Sequence, residues 1–165
     1  MKTINILLLL FYLTMLTVKA QTPSTDKSWE VVFLDDFNTF NTNRWNVSNE
    51  FIHTPSDPQI YLNSNTYLDG NGNLVLRCTH DYYYCSNCSR HDNYYTSGDL
   101  NSNQTYQYGY FEMICKLPKG SGFWPAFWLW NERDVYPCWY NEIDIFEMKG
   151  ANEYITTNNL HWYYN

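Results

Sequence analysis

Beyond its first twenty residues the chain shows no sustained 3.6-residue hydrophobic period. Apolar and polar positions alternate in short runs, punctuated by Asn, Gly, Asp and Pro. This is the pattern of many short strands. Trp29–Leu34 reads as a strand running into Asp35-Asp36-Phe37. Asn71–Thr79 sets Leu74, Leu76 and Cys78 on one face, after the turn chemistry of Asp69-Gly70-Asn71-Gly72. Tyr108–Leu117 is the cleanest alternation. Phe111, Met113, Cys115 and Leu117 face one way, and Tyr110, Glu112, Ile114 and Lys116 the other, until Pro118–Gly122 ends the run. Phe123–Trp130 is almost unbroken apolar sequence, Glu142–Met148 follows, and Leu160–Tyr164 reads as a last strand. There is no internal repeat and no linker. The pattern predicts an all-β sandwich of antiparallel strands.

The amino-terminal segment obeys a different rule. Lys2 precedes a mostly apolar stretch from Ile4 to Leu16, and Val18-Lys19-Ala20 offers modest residues for cleavage before Gln21. This predicts a secretory signal peptide over residues 1–20, with an apolar part too short for a comfortable membrane span. A short leader, residues 21–28, and one domain over residues 29–165 then follow. The expected location is secreted or periplasmic, with no membrane association once the signal is removed.

Composition narrows the class. Charged residues are 16% of the chain, against about 25% in an average globular protein. The aromatic share is 19%, with 16 Tyr, 9 Phe and 7 Trp. Disorder and helix bundles are both excluded by such a composition. The net charge of −7 leaves no basic face for phosphates, which excludes nucleic acid as a partner. The length suits one domain, expected to be a monomer.

Export also bears on the cysteines, Cys78, Cys85, Cys88, Cys115 and Cys138. Five leave at least one unpaired, and no pairing follows from sequence alone. His80, Cys85, Cys88 and His91 lie close enough in sequence to bind zinc. The alternative is a surface loop closed by one disulfide, which an oxidising compartment favours.

The candidate chemistry sits in Glu142-Ile143-Asp144-Ile145-Phe146-Glu147. On a plain strand Glu142 and Asp144 share a face, with Ile143 and Ile145 on the opposite, core side. Phe146 would then join the acids, and Glu147 would point into the core, where an unpaired carboxylate is costly. One bulged residue near Ile145-Phe146 reverses everything after it. Phe146 then turns inward and Glu147 lines up with the other two acids. The two glutamates stand about 13 Å apart at their Cα atoms, at ~3.3 Å per residue. Leaning together over a concave sheet, their carboxyls approach to about 5–6 Å, the separation used by a retaining glycosidase. Asp144 between them can hydrogen-bond one glutamate and separate the two pKa values. Taken alone, the pattern also fits a solvated acidic face.

The neighbouring aromatics weigh against that second reading. Trp124, Phe127, Trp128 and Trp130 surround Pro125, and Trp139 precedes Glu142 by three residues. Spacing alone makes most of them core. Sugars nevertheless stack on aromatic faces, so Trp124, Trp128 and Trp139 are candidate substrate contacts. His161 is a further candidate, or an ordinary edge-strand histidine.

Taken together these segments resemble glycoside hydrolase family 16, the laminarinase-like endo-glucanases and their relatives. The motifs are Asp35-Asp36-Phe37-Asn38, Arg44-Trp45-Asn46-Val47, Gly72-Asn73-Leu74-Val75-Leu76, Tyr95-Thr96-Ser97-Gly98 and Tyr108-Gly109-Tyr110-Phe111-Glu112. Leu117-Pro118-Lys119-Gly120, Phe123-Trp124-Pro125-Ala126-Phe127-Trp128 and Glu142–Glu147 complete the series, in order. The resemblance implies a concanavalin A-like jelly-roll sandwich and an endo-acting, retaining hydrolase of β-linked polysaccharide. It implies Glu142 as nucleophile, Asp144 as assisting acid and Glu147 as general acid/base. The Glu-x-Asp-x-x-Glu spacing is that of the family's bulged branch. No cofactor and no catalytic metal is implied; some members hold a structural calcium away from the catalytic strand. The lack of a basic cluster favours neutral β-1,3- or mixed-linkage glucan over a sulfated polymer. The other function class is a non-catalytic, secreted glycan-binding sandwich, which would not need both Glu142 and Glu147.

Two departures shape the expectations. A sandwich of this kind usually takes about 200–250 residues, and Asn165 follows directly on the His161 strand. The expectation is therefore a domain incomplete at its carboxyl-terminal side, neither stable nor fully active as written, with an exposed edge at the Glu142–Glu147 strand. Tyr136–Tyr140 also differs from the family's usual lead-in.

Overall fold

The computed structural model describes residues 28–131 and 139–164. The signal and most of the leader (residues 1–27) lie outside them, as does Cys138. The chain forms two compact units, dividing after Gln107. Among the described residues all regular structure is β apart from one turn of 3-10 helix at Asn63–Asn65, as the alternating pattern predicts. Among the described residues no helix is long and apolar enough to cross a membrane.

The first unit is assembled from short pairings. Strand β1 (Trp45–Val47) runs antiparallel to β8 (Leu100–Ser102), and β2 (Gln59–Tyr61) pairs in parallel with β7 (Tyr95–Ser97). Two hairpins, β3 (Thr66–Leu68) with β4 (Leu74–Leu76) and β5 (Tyr83–Tyr84) with β6 (Asp92–Asn93), complete it. The β3–β4 turn is stitched by Asp69, whose carboxylate accepts the Asn71 and Asn73 backbone N–H groups and the Asn73 amide. Gly70 and Gly72 supply the positive φ that this turn needs.

Ile60, Leu62 and Cys85 form a small buried cluster, with Ile52, Tyr83 and Cys88 packed against it. Polar groups occupy the rest of the interior, and they are paired, as burial requires. The Asn65 amide donates to Thr96 Oγ1 at 2.8 Å. Asp99 accepts from Ser48 Oγ and Asn101 Nδ2 and faces His53 at 3.8 Å. Burial alone would raise the Asp99 carboxyl. The contacts with His53, Ser48 and Asn101 outweigh it and hold the group below its ordinary value.

Cys85 and Cys88 are joined as a disulfide with Cα atoms 5.4 Å apart. The zinc alternative therefore falls, because both thiols are consumed. His91 Nδ1 instead lies 2.9 Å from the Cys85 carbonyl oxygen, and His80 stacks on Tyr95. Cys78 and Cys115 are exposed free thiols.

The second unit is built on one antiparallel sheet, in the order β11–β10–β9. Its strands are β9 (Ala126–Trp130), β10 (Trp139–Met148) and β11 (Thr156–Tyr164). β10 is central, with a partner on each side, so the exposed edge expected at the acid strand is not there. The ladder between β9 and β10 continues past Ala126, where Met148 N donates to the Pro125 carbonyl and Gly150 N to that of Phe123. Gly150 is obligatory at this crossing, since a Cβ there would stand 2.3 Å from the Gly120 carbonyl oxygen.

Two expected strands are not present. Trp29–Leu34 and Tyr108–Leu117 have no strand assignment, and Val31, Val32 and Ile114 are strongly exposed. Alternation marks which residues share a face. A strand also needs a neighbouring backbone in ladder register, and neither segment is part of a strand pair.

Candidate active site

The acids are brought together by one irregularity in β10. Against β11, Asp144 pairs with Asn159 and Glu147 with Thr157, so Ile145 and Phe146 face the single residue Asn158. Against β9, Asp144 pairs with Trp128 and Phe146 with Phe127, and Ile145 is left without a partner. This is a β-bulge at the position the sequence predicts. The bulge keeps Glu147 off the apolar face, at the small cost of one unpaired residue.

Register fixes the two faces. On one, Glu142 lies between Trp130 and His161, Asp144 between Trp128 and Asn159, and Glu147 between Ala126 and Thr157. On the other, Ile143 lies between Leu129 and Leu160, and beyond the bulge Phe146 stands beside Phe127 with ring centroids 6.3 Å apart. Phe146 thus joins the apolar side and Glu147 the acidic side, as expected. One detail differs: Ile143 is 48% exposed and Leu160 59%, so within this unit their face is apolar but not buried.

Asp144 is the most enclosed of the three acids, with 3% of its surface exposed. Its Oδ2 lies 3.2 Å from His161 Nε2. Ligand-type atoms of Glu142, Asp144 and His161 all fall within 4.8 Å of one another. Burial, and then the charge and hydrogen bond of Glu142, raise the Asp144 carboxyl above the ordinary carboxylate range, while His161 pulls it down. On the far side, Asn159 Nδ2 donates to Glu147 Oε2 at 2.5 Å.

Other predicted contacts are distributed unevenly. Trp128 is half-buried on the acid face, opposite Asp144. His161 joins the acids directly. Trp124 precedes β9 and is 67% exposed. The Trp139 backbone pairs with Tyr164 at the start of β10, and its side chain lies outside what the structure describes. Trp130 is a candidate that sequence reasoning passed over. It is opposite Glu142, half-exposed, with its ring 5.9 Å from that of Trp128 in an edge-on arrangement. Its signal was available, since residues two apart on a strand share a face. Asn158 and Asn159 carried no such signal, because only pairing aligns them with the bulge.

Glu142, Asp144 and His161 are close enough to share a cation. Away from this strand, among the described residues, no other group of three carboxylate, imidazole or thiolate side chains is so placed.

An all-β chain with a bulged strand presenting three acids beside tryptophans defines a class of carbohydrate-active proteins. The model of glycosyl hydrolases family 16 matches residues 55–164, and the chain belongs to that family. The glucan endo-1,3-beta-glucosidase A1 of Niallia circulans is 28% identical over 150 residues, covering 80% of this chain and 22% of that protein. The glucan endo-1,3-beta-glucosidase of Cryptopygus antarcticus is also 28% identical, covering 82% of this chain and 52% of its own length. Among solved structures, a prokaryotic beta-1,3-1,4-glucanase (lichenase) from a mouse hindgut metagenome aligns with a TM-score of 0.62 at 18% identity. It covers 79% of this chain and 61% of the lichenase. That likeness carries the fold, the jelly-roll sandwich expected above. The chain spans about a fifth to a half of the length of these curated relatives.

Proposed function

We propose that this chain carries the catalytic strand of an endo-acting, retaining hydrolase of β-1,3- or mixed-linkage β-glucan. The observation that carries the reading is the bulge in β10, which sets Glu142, Asp144 and Glu147 on one face beside Trp128 and Trp130. In the first step the Glu142 carboxylate attacks the anomeric carbon. The glycosidic C–O bond breaks, and Glu147 protonates the departing oxygen. In the second step Glu147, now a carboxylate, takes a proton from water. The water oxygen attacks the same carbon and releases Glu142. The two inversions give net retention. Asp144, whose carboxyl is raised by burial and by Glu142, hydrogen-bonds the nucleophile and keeps it oriented.

Trp128 and Trp130 are the proposed stacking contacts for sugar rings, and His161, beside Asp144, is the proposed contact to a sugar hydroxyl. Trp124 and Trp139 remain proposed outer contacts. The relatives named as β-glucanases support the substrate class. We also propose export directed by residues 1–20, to a secreted or periplasmic location, a monomeric state, and chemistry that requires no cofactor. The test is covalent trapping. A fluorinated β-glucosyl or laminaribiosyl inactivator should label Glu142, identified by peptide mass, and product from laminarin should appear first as the β-anomer. Labelling elsewhere, or an initial α-anomer, overturns the reading.

A further inference from the structure

We propose that Asn158 is a positioning residue for Glu147, acting by pinning the bulge that carries Glu147 to the acid face. This rests on the hydrolase reading above. Between the pairs Asp144–Asn159 and Glu147–Thr157, two residues of β10 oppose one of β11, and that one is Asn158. Ile145 also has no partner on β9. The regular register is thus interrupted at this residue on both sides, where backbone groups need partners beyond the ladder's own. The Asn158 side-chain amide donates to the Ile145 carbonyl oxygen. A side chain thus supplies the hydrogen bond that the interrupted ladder does not.

The next residue completes the arrangement. Asn159 donates to the Glu147 carboxylate. Successive residues of β11 therefore hold the bulge and the side chain that the bulge delivers. The consequence is all-or-none, because strand faces alternate. If Ile145 slips back into the ladder, Glu147 moves to the face of Ile143 and Ile145, away from Glu142, and Phe146 turns to the acid face. Asn158 favours the register in which an acid/base is present at all. It does so without touching substrate.

The experiment uses Asn158→Ala, Asn158→Asp and Asn158→Gln in the full chain. Each is assayed on laminarin and on an aryl β-1,3-oligoglucoside bearing a dinitrophenyl leaving group, which needs no protonation to depart. Asn158→Asp is nearly isosteric and lacks the donor, so it serves if Asn158→Ala does not fold. Loss of the pin should lower laminarin turnover at least about tenfold, part of the 10²–10⁴ that a general acid supplies. The first, glycosylation step on the aryl substrate should change less than about threefold, and added azide should speed turnover of the resulting intermediate. Asn158→Gln, which keeps an amide, should recover part of the laminarin activity. Equal losses on both substrates, or unchanged laminarin turnover, overturn the role of Asn158 while product retention leaves the hydrolase reading standing. Inversion by the unaltered protein overturns that reading, and this inference with it.

Discussion

Tyr108–Leu117 and Trp139–Met148 lie in the same unit, and both carry the period-two alternation of a strand. The second is the centre of a three-stranded sheet. The first has no strand assignment, and Ile114 within it is 95% exposed, whereas Met148 at the end of the second is 3% exposed. The difference is not in local preference, since both runs are rich in aromatic and β-branched residues. It is in the neighbours: β10 lies between β9 and β11 with nearly every residue paired, and that pairing turns a pattern into a surface with fixed geometry. A carboxylate on a paired strand is aimed. One on a segment outside any strand is only attached.

The glutamates of the two segments give the sharpest way to break this contrast. Glu142→Gln should reduce glucan hydrolysis by at least about 10⁴-fold, the scale on which removing a catalytic nucleophile acts. Glu112, which accepts a hydrogen bond from the Tyr110 hydroxyl at 2.9 Å on an exposed surface, should tolerate Glu112→Gln with unchanged turnover and melting. Comparable losses in reducing-sugar assays of the two variants would mean that the paired strand has no privileged role.

A smaller effect should appear in the pH dependence of stability. The Asp144 carboxyl is raised in the folded protein by burial and by Glu142. The folded state therefore keeps a proton that the unfolded chain has already released. The stability this provides is complete below the unfolded chain's carboxylate range, and it is lost as pH rises through the higher folded value. Asp144→Asn stays neutral throughout, so its melting temperature should gain on that of the unaltered protein as pH rises across this window. A pH-independent difference between the two melting curves would show that Asp144 keeps no extra proton.

The least effect is expected at an exposed position of the run that forms no strand. Ile114→Ser should change unfolding free energy by less than about 0.5 kcal/mol, as for an exposed position away from special features. A larger loss in a denaturant titration would reveal that Tyr108–Leu117 buries this face after all.

The acid cluster was legible in the sequence because its information is local. Three acids in six residues, one residue out of step with the alternation, already imply a bulge, since a buried unpaired carboxylate costs more than an interrupted ladder. The all-β class was legible for the same reason, through short alternating runs and Gly-, Asn- and Asp-rich turns. What depends on partners distant in sequence had no such signature. Alternation did not distinguish the segment that pairs from those that do not. Cysteine spacing left zinc and disulfide open until Cys85 and Cys88 were seen joined. Trp130 beside Glu142, His161 against Asp144 and Asn158 across the bulge were assigned only by strand register. The sequence determined which residue types the strand carries and on which of its faces they fall. The tertiary structure decided which strands meet, and so which side chains stand opposite the acids, because hydrogen-bonded pairing between remote segments sets those distances.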